Sequence, residues 1–169
     1  MAILNTKDAY GLASKILHWL ILVLLALMLM SGYFLVDNQP KPHEIMGKVV
    51  LALAVIRLVL RFMGTAPTHH PGHGKWEVHL ARLTHWALYV VLIVHPLSGW
   101  MMVSAGDFAE TAPLPKWLAP EGLADFAFDL HETMPLILLG IVGLHIAGAL
   151  KHAVIDRDGT LRRMWFGKS

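Results

Sequence analysis

No cysteine occurs among the 169 residues of this chain. That excludes disulfides, thiolate-bound zinc, iron–sulfur clusters and covalent attachment of a prosthetic group through a C-x-x-C-H motif. Charge is scarce as well: 15% of residues are Asp, Glu, Lys or Arg, against roughly 25% in an ordinary soluble domain. No internal repeat is evident, and a single domain over residues 1–169 is expected. A cleavable leader is not expected either. The first apolar run is too long for a signal-peptide core, and Ser31-Gly32-Tyr33-Phe34 offers no small-x-small cleavage pattern.

Apolar residues are abundant instead, at 56% of the chain, with a mean hydropathy of +0.54. This predicts an all-α integral membrane protein embedded in a lipid bilayer. Four stretches approach or exceed the ~20 residues that a spanning helix needs. They are Ile16–Val36, Ile45–Phe62, Leu83–Val103 and Met134–Ile155, within helices expected over about 10–36, 43–63, 78–104 and 128–155. The second carries Lys48, Arg57 and Arg61. Lys48 and Arg61 lie near its ends and can snorkel, whereas Arg57 lies deeper and calls for an anionic partner. The expected architecture is a four-helix bundle.

Lys and Arg set its orientation. Eleven of them fall at the end holding both termini and the second loop, three (Lys41, Lys48 and Lys116) at the other. Both termini are therefore expected in the cytoplasm of a bacterial cell, and the protein in its inner membrane. The net charge of +2 and pI near 9.0 follow from this topology and do not imply nucleic acid as a partner. The basic tail Arg157–Lys168 lacks interleaved aromatics and lies where anionic headgroups wait. Two connections are long: Thr65–Val78, rich in Pro, Gly and His, and Ser104–Phe126, whose Trp, Leu and Pro suggest a cap over the outer bundle end.

The eleven histidines sort by depth. His131 and His145 lie fourteen positions apart on the fourth helix, so both project from nearly one face, about 21 Å apart along the axis. That is most of a hydrocarbon thickness, and an imidazole at such depth is costly without a partner. His43 begins the second helix at the level of His131, and His18 lies on the first at the level of His145. Two depth-matched imidazole pairs are what two bis-histidine haems require. With no cysteine, any haem is held by packing and axial ligands, making it haem b. Gly32, Gly47, Gly140, Gly143 and Gly148 could give a macrocycle flat surfaces, although membrane helices also use glycine for tight packing. His85 and His95 on the third helix are ten positions apart and about 80° out of alignment. No depth-matched scheme requires them, and His95-Pro96 suits a bonded structural histidine. His69, His70, His73 and His79 lie in or beside a loop without cysteine or carboxylate partners, as solvated histidines would.

These features resemble the bacterial cytochrome b561 family. Tyr10 followed by His18-Trp19 is similar to that family's Y-x(7)-H-W opening, and Ile56-Arg57-Leu58-Val59-Leu60-Arg61 to its basic second-helix ending. The most specific match runs from Gly143-Leu144-His145 through Ala149-Leu150-Lys151-His152 into Asp156-Arg157-Asp158-Gly159-Thr160-Leu161-Arg162-Arg163-Met164. The family also resembles the diheme cytochrome b subunits of hydrogenases and formate dehydrogenases. The resemblance implies two b haems ligated from helices one, two and four, here His18 and His145 for the inner haem and His43 and His131 for the outer. It implies quinone chemistry, with ubiquinone as the expected acceptor. His152, seven positions beyond His145, is a candidate quinone contact able to pass a proton. A superoxide-oxidising relative has a serine two residues before its helix-one ligand. This chain has Ile16 there and Ser14 two further back, so Ser14 is the candidate and the quinone contacts depart from that pattern. Arg57, Arg61 and Lys48 are candidate partners for haem propionates.

The function this supports is transfer of single electrons between a periplasmic-side donor and the quinone pool. The sharpest version is superoxide oxidation to dioxygen with quinone reduction, in which Lys48 and Lys116 would draw the anion inward against eight outer acids. One alternative is an electron-relay subunit docked to a partner oxidoreductase, with no substrate of its own. Another is a haem-free transporter or metal-handling protein using the loop histidines.

Overall fold

The computed structural model describes residues 2–7, 9–34, 40–65, 67 and 74–166. Four long helices account for most of them: α1 (Leu12–Phe34), α2 (Pro40–Met63), α3 (Lys75–Ala105) and α4 (Ala124–Leu150). No strand occurs among the described residues. The all-α four-helix architecture is thus as the hydropathy pattern predicts, with ends shifted by a few residues. His69, His70 and His73 lie outside the described residues, and His79 is exposed.

Each helix begins where local chemistry lets it. Residues preceding α1 fold back to satisfy its first donors, Leu12 N–H to the Ala2 carbonyl and Ala13 N–H to that of Ile3. A side chain at Gly11 would collide with the Ile3 and Leu4 backbone, so the fold-back needs glycine there. Pro40 and Pro42 occupy the first turn of α2, where a missing N–H costs nothing. At the start of α3 the Glu77 carboxylate accepts the Gly74 N–H at 3.0 Å. The helix then runs unbroken through Pro96.

Three of the helical segments, Leu12–Phe34, Lys75–Ala105 and Glu121–Asp156, are long and apolar enough to cross a membrane. The fourth helix of the bundle, α2, has comparable length at 24 residues, but five charged residues lower its hydropathy. The molecule is apolar on the outside: Leu136 is 72% exposed while Leu138, two residues on, is 1% exposed. The buried interior is small and partly polar, with Ser31, Ser98, Ser104, Thr84 and Lys15 among its members. Such a surface suits lipid tails, which replace the packing that a soluble core would provide.

Packing follows chain order, α1 on α2, α2 on α3 and, most extensively, α3 on α4. The backbones of α1 and α4, and of α2 and α4, are not packed together to that degree. The first turns of α1 meet the segment around Met164 and Trp165 at one end. The buried Lys15 ammonium donates to the Trp165 carbonyl at 3.0 Å, and Trp19 Nε1 to that of Met164 at 3.0 Å. At the other end residues 106–120 form the cap expected there, followed by one 3-10 turn, Glu121–Leu123. Glu44 of α2 ties the cap down by accepting N–H groups of Glu110 (2.8 Å) and Thr111 (3.1 Å), while Trp100 Nε1 donates to the Ala112 carbonyl (2.9 Å).

Candidate functional site

The fold brings the four singled-out histidines together in the two pairs that helical depth suggested. His43 of α2 faces His131 of α4 with ring centres 6.2 Å apart, and His18 of α1 faces His145 of α4 at 6.1 Å. Both pairs reach across the helix faces whose backbones stand apart. A metal–imidazole bond of about 2 Å, with about 1 Å more to the ring centre, sets two in-line axial imidazoles roughly 6 Å apart. The two pairs have that separation. The α3 histidines come closer, His95 to His131 at 4.4 Å and His85 to His145 at 5.3 Å. An ion in line between either of those pairs would need more room.

Around the outer pair the hydrogen bonds fix which ring nitrogen is available. Ser31 Oγ donates to the Met28 carbonyl (2.9 Å), so toward His43 it acts as acceptor, of the Nδ1–H at 2.8 Å. His131 Nδ1 lies 3.0 Å from the His95 carbonyl oxygen and 3.3 Å from Ser98 Oγ, which itself donates to that same carbonyl at 2.7 Å. A carbonyl oxygen only accepts, so His131 Nδ1 carries hydrogen too. In both rings the Nε2 lone pair is thereby presented as a ligand, the arrangement typical of metal-binding histidines.

A glycine follows each of these serines and makes the approach possible. A Cβ on Gly32 would sit 3.3 Å from His43 Cε1, and one on Gly99 would sit 2.7 Å from His131 Cε1. Ser31-Gly32-Tyr33 on α1 and Ser98-Gly99-Trp100 on α3 are thus matching cradles, one per histidine. The repeated Ser-Gly-aromatic tripeptide is visible in the sequence, yet only its contact with the imidazoles gives it meaning. By contrast, a Cβ at Gly140, Gly143 or Gly148 meets nothing within 4 Å. Those glycines face open space, and Gly47 lies against Met28.

The inner pair is built differently. Arg57 is the deep cation of α2, and among the described residues it bonds to neutral groups. Nη1 donates to the Ser14 carbonyl at 2.8 Å and Nη2 to His18 Nδ1 at 3.3 Å. Tyr89 of α3 is also within hydrogen-bonding reach of Arg57. A guanidinium is donor-only, so His18 Nδ1 accepts here. Ligation through His18 Nε2 calls for the other tautomer, and hence for Arg57 to release its longer contact while keeping Ser14. Arg61, one turn on, lies with Arg57 and Arg163 near Tyr10, just ahead of α1. Burial pushes the Tyr10 phenol up, and these cations pull it the other way.

Of the remaining candidates, Lys48 is committed to the cap. It pairs with Glu44 at 2.7 Å, donates to Thr111 Oγ1 and to the Ala112 carbonyl, and lies 5.0 Å over the Trp100 ring. Lys116 pairs with Asp107 at 2.6 Å. Each lysine is thus half of a dipole, which weakens its field on a distant anion. At the opposite end His152 Nδ1 stands between Asp158 (2.8 Å) and Asp156 (2.9 Å). Sequence spacing placed His152 on the face of His145 but gave no sign of these two carboxylates.

Facing imidazole pairs, with Nε2 presented at the outer one, in a chain without cysteine fit non-covalent haem. A helical membrane bundle of this kind is a b-type cytochrome. Comparison with known proteins gives the family: residues 9–167 match prokaryotic cytochrome b561, and the chain belongs to it. It is 31% identical over 183 aligned positions to cytochrome b561 homolog 2 of Escherichia coli K12, covering 100% of this chain and 97% of that protein. It is also 27% identical to a probable superoxide oxidase, CybB, of Yersinia pestis (88% of this chain, 90% of the relative) and 26% identical to cytochrome b561 homolog 1 of E. coli K12 (88% and 92%). The protein is accordingly a membrane cytochrome that binds haem b and serves electron transfer.

Proposed function

We propose that the chain is a diheme cytochrome moving single electrons from a donor at the capped end to the quinone pool at the end bearing the termini, with superoxide as donor and ubiquinone as acceptor. The observation that carries this is the occurrence of two facing imidazole pairs, at 6.1 and 6.2 Å, at opposite ends of one bundle. Similarity to a probable superoxide oxidase supports the choice of donor. The excess of Lys and Arg at the terminal end supports a cytoplasmic position for both termini, in a bacterial inner membrane.

In this proposal His43 and His131 would hold an outer haem, and His18 and His145 an inner one. When bound, the haems supply reversible one-electron chemistry. The protein's own part is to orient and to tune. Ser31 and the His95 carbonyl hold the outer imidazoles by Nδ1. Gly32 and Gly99 let those rings approach. Arg57 and Arg61 put positive charge at the inner level, suited to propionates. His152 and Ser14 are the candidate contacts for a quinone headgroup at the inner end.

A reduced-minus-oxidised spectrum with haem quantification tests the proposal. Two b haems per chain, both reduced rapidly by superoxide and reoxidised by a short-chain ubiquinone, are expected. One haem per chain would overturn the pairing. Two haems that superoxide fails to reduce would leave an electron relay serving a docked oxidoreductase.

A further inference from the structure

Beyond Leu150 the last helix widens into one π-helical turn, Lys151–Asp156, and then reverses at Arg157, whose φ is 51°. On a regular α-helix, residues six apart point about 120° away from each other. His152 and Asp158 would diverge on such a helix. The widened turn and the reversal bring them together instead, with His152 Nδ1 2.8 Å from Asp158 Oδ2 and 2.9 Å from Asp156 Oδ2. Asp158 is itself held in place. Its Oδ1 accepts the Thr160 N–H at 2.8 Å, and its side chain is 5% exposed. Asp156 is shared with Lys151, which also reaches Glu77 at the start of α3 at 2.6 Å.

Ionised carboxylates only accept, so His152 Nδ1 carries hydrogen and Nε2 is the ring position that takes up and releases a proton. A carboxylate that holds an imidazole by Nδ1 in this way fixes its tautomer and its orientation, as in hydrolase triads. We infer that Asp158, assisted by Asp156, is a positioning residue that keeps His152 ready to pass a proton from Nε2 to the carbonyl oxygen of a quinone. This rests on the assignment of His152 to the quinone site above.

In the step, the Nε2–H bond of His152 breaks and an O–H bond forms on the quinone. The quinone's two electrons arrive singly from the cytochrome. The neutral ring keeps Nδ1–H on the carboxylates and regains its Nε2 proton from water, which reaches the 15%-exposed side chain. The second proton goes to the opposite carbonyl oxygen and comes from water, which completes the quinol. Asp156 and Asp158 exchange no proton; they orient the ring and balance its charge.

The test uses the full-length, haem-loaded protein in lipid nanodiscs, reduced and then mixed with a short-chain ubiquinone. Asp158→Asn should lower kcat about tenfold while leaving KM and the haem spectrum unchanged, because Asp158 does not touch the quinone. Asp158→Glu should restore most of the rate. The double variant with His152→Gln should be no slower than His152→Gln alone, since both act through one ring. Wild-type kcat in Asp158→Asn beside a slow His152→Gln overturns the positioning role and leaves the quinone site standing. Wild-type kcat in His152→Gln overturns both. Should Asp158→Asn lose haem, Asp156→Asn carries the test, with a loss of about threefold expected and no loss overturning it.

Discussion

Gly99→Ala is the sharpest probe of the outer centre, because simple helix energetics predict the opposite of what the site geometry predicts. Alanine in place of glycine within a helix is ordinarily favourable by about 1 kcal/mol. Here the added methyl would lie 2.7 Å from His131 Cε1, 2.9 Å from Nδ1 and 3.3 Å from Nε2. To reach an ordinary contact of 3.4 Å the ring must retreat by roughly 0.7 Å. Moving away from α3 by that much takes Nδ1 from 3.0 Å to roughly 3.7 Å from the His95 carbonyl, beyond hydrogen-bonding range. Losing such a partner typically costs 10- to 100-fold in metal affinity. The expected result is a fall from two haems per chain toward one, read by haem quantification on purified protein, with the inner centre's spectrum retained. Gly143→Ala is the comparison variant: its methyl meets no protein atom within 4 Å, so no protein contact opposes it. Full occupancy and an unshifted outer midpoint potential in Gly99→Ala would refute the cradle and the ligand role of His131 together.

His131→Ala should remove one haem and leave the inner centre's spectrum largely intact. Equal loss of both centres in a folded protein would break the proposed pairing. Arg57→Gln removes a positive charge within 3.3 Å of His18, so the inner midpoint potential should fall while the outer holds, as redox titration would show. Replacing Lys48 and Lys116 by Gln should affect the cap more than superoxide capture, because both lysines already face carboxylates. A lower thermal midpoint, chiefly from the lost bonds of Lys48 to the cap, with a little-changed salt dependence of the superoxide rate is expected. A large loss of that rate with unchanged stability would restore the steering role.

The histidine pairing was legible from sequence because it depends on two nearly invariant quantities, the rise of an α-helix and the thickness of a bilayer. Given four spans, depth alone matches His43 with His131 and His18 with His145. The absence of cysteine fixed the kind of haem attachment without any coordinates. The four-helix architecture followed from apolar run lengths, even in α2, where five charged residues blur the signal. Depth says nothing about rotation around each helix axis, and that is where the reading ran out. Whether Arg57 meets a carboxylate or a carbonyl, and whether Lys48 faces a propionate or the cap, depends on which faces neighbouring helices turn to one another. The Ser-Gly cradles have the same dependence, since Ser98 and Gly99 matter to His131 only through the packing of α3 on α4. The carboxylates at His152 lay further still from any periodic rule. A 3.6-residue repeat directs Asp158 away from that ring. Only the widened last turn and the left-handed Arg157, held by tertiary contacts of Lys151 with Glu77 and of the tail with Lys15 and Trp19, bring the two side chains face to face.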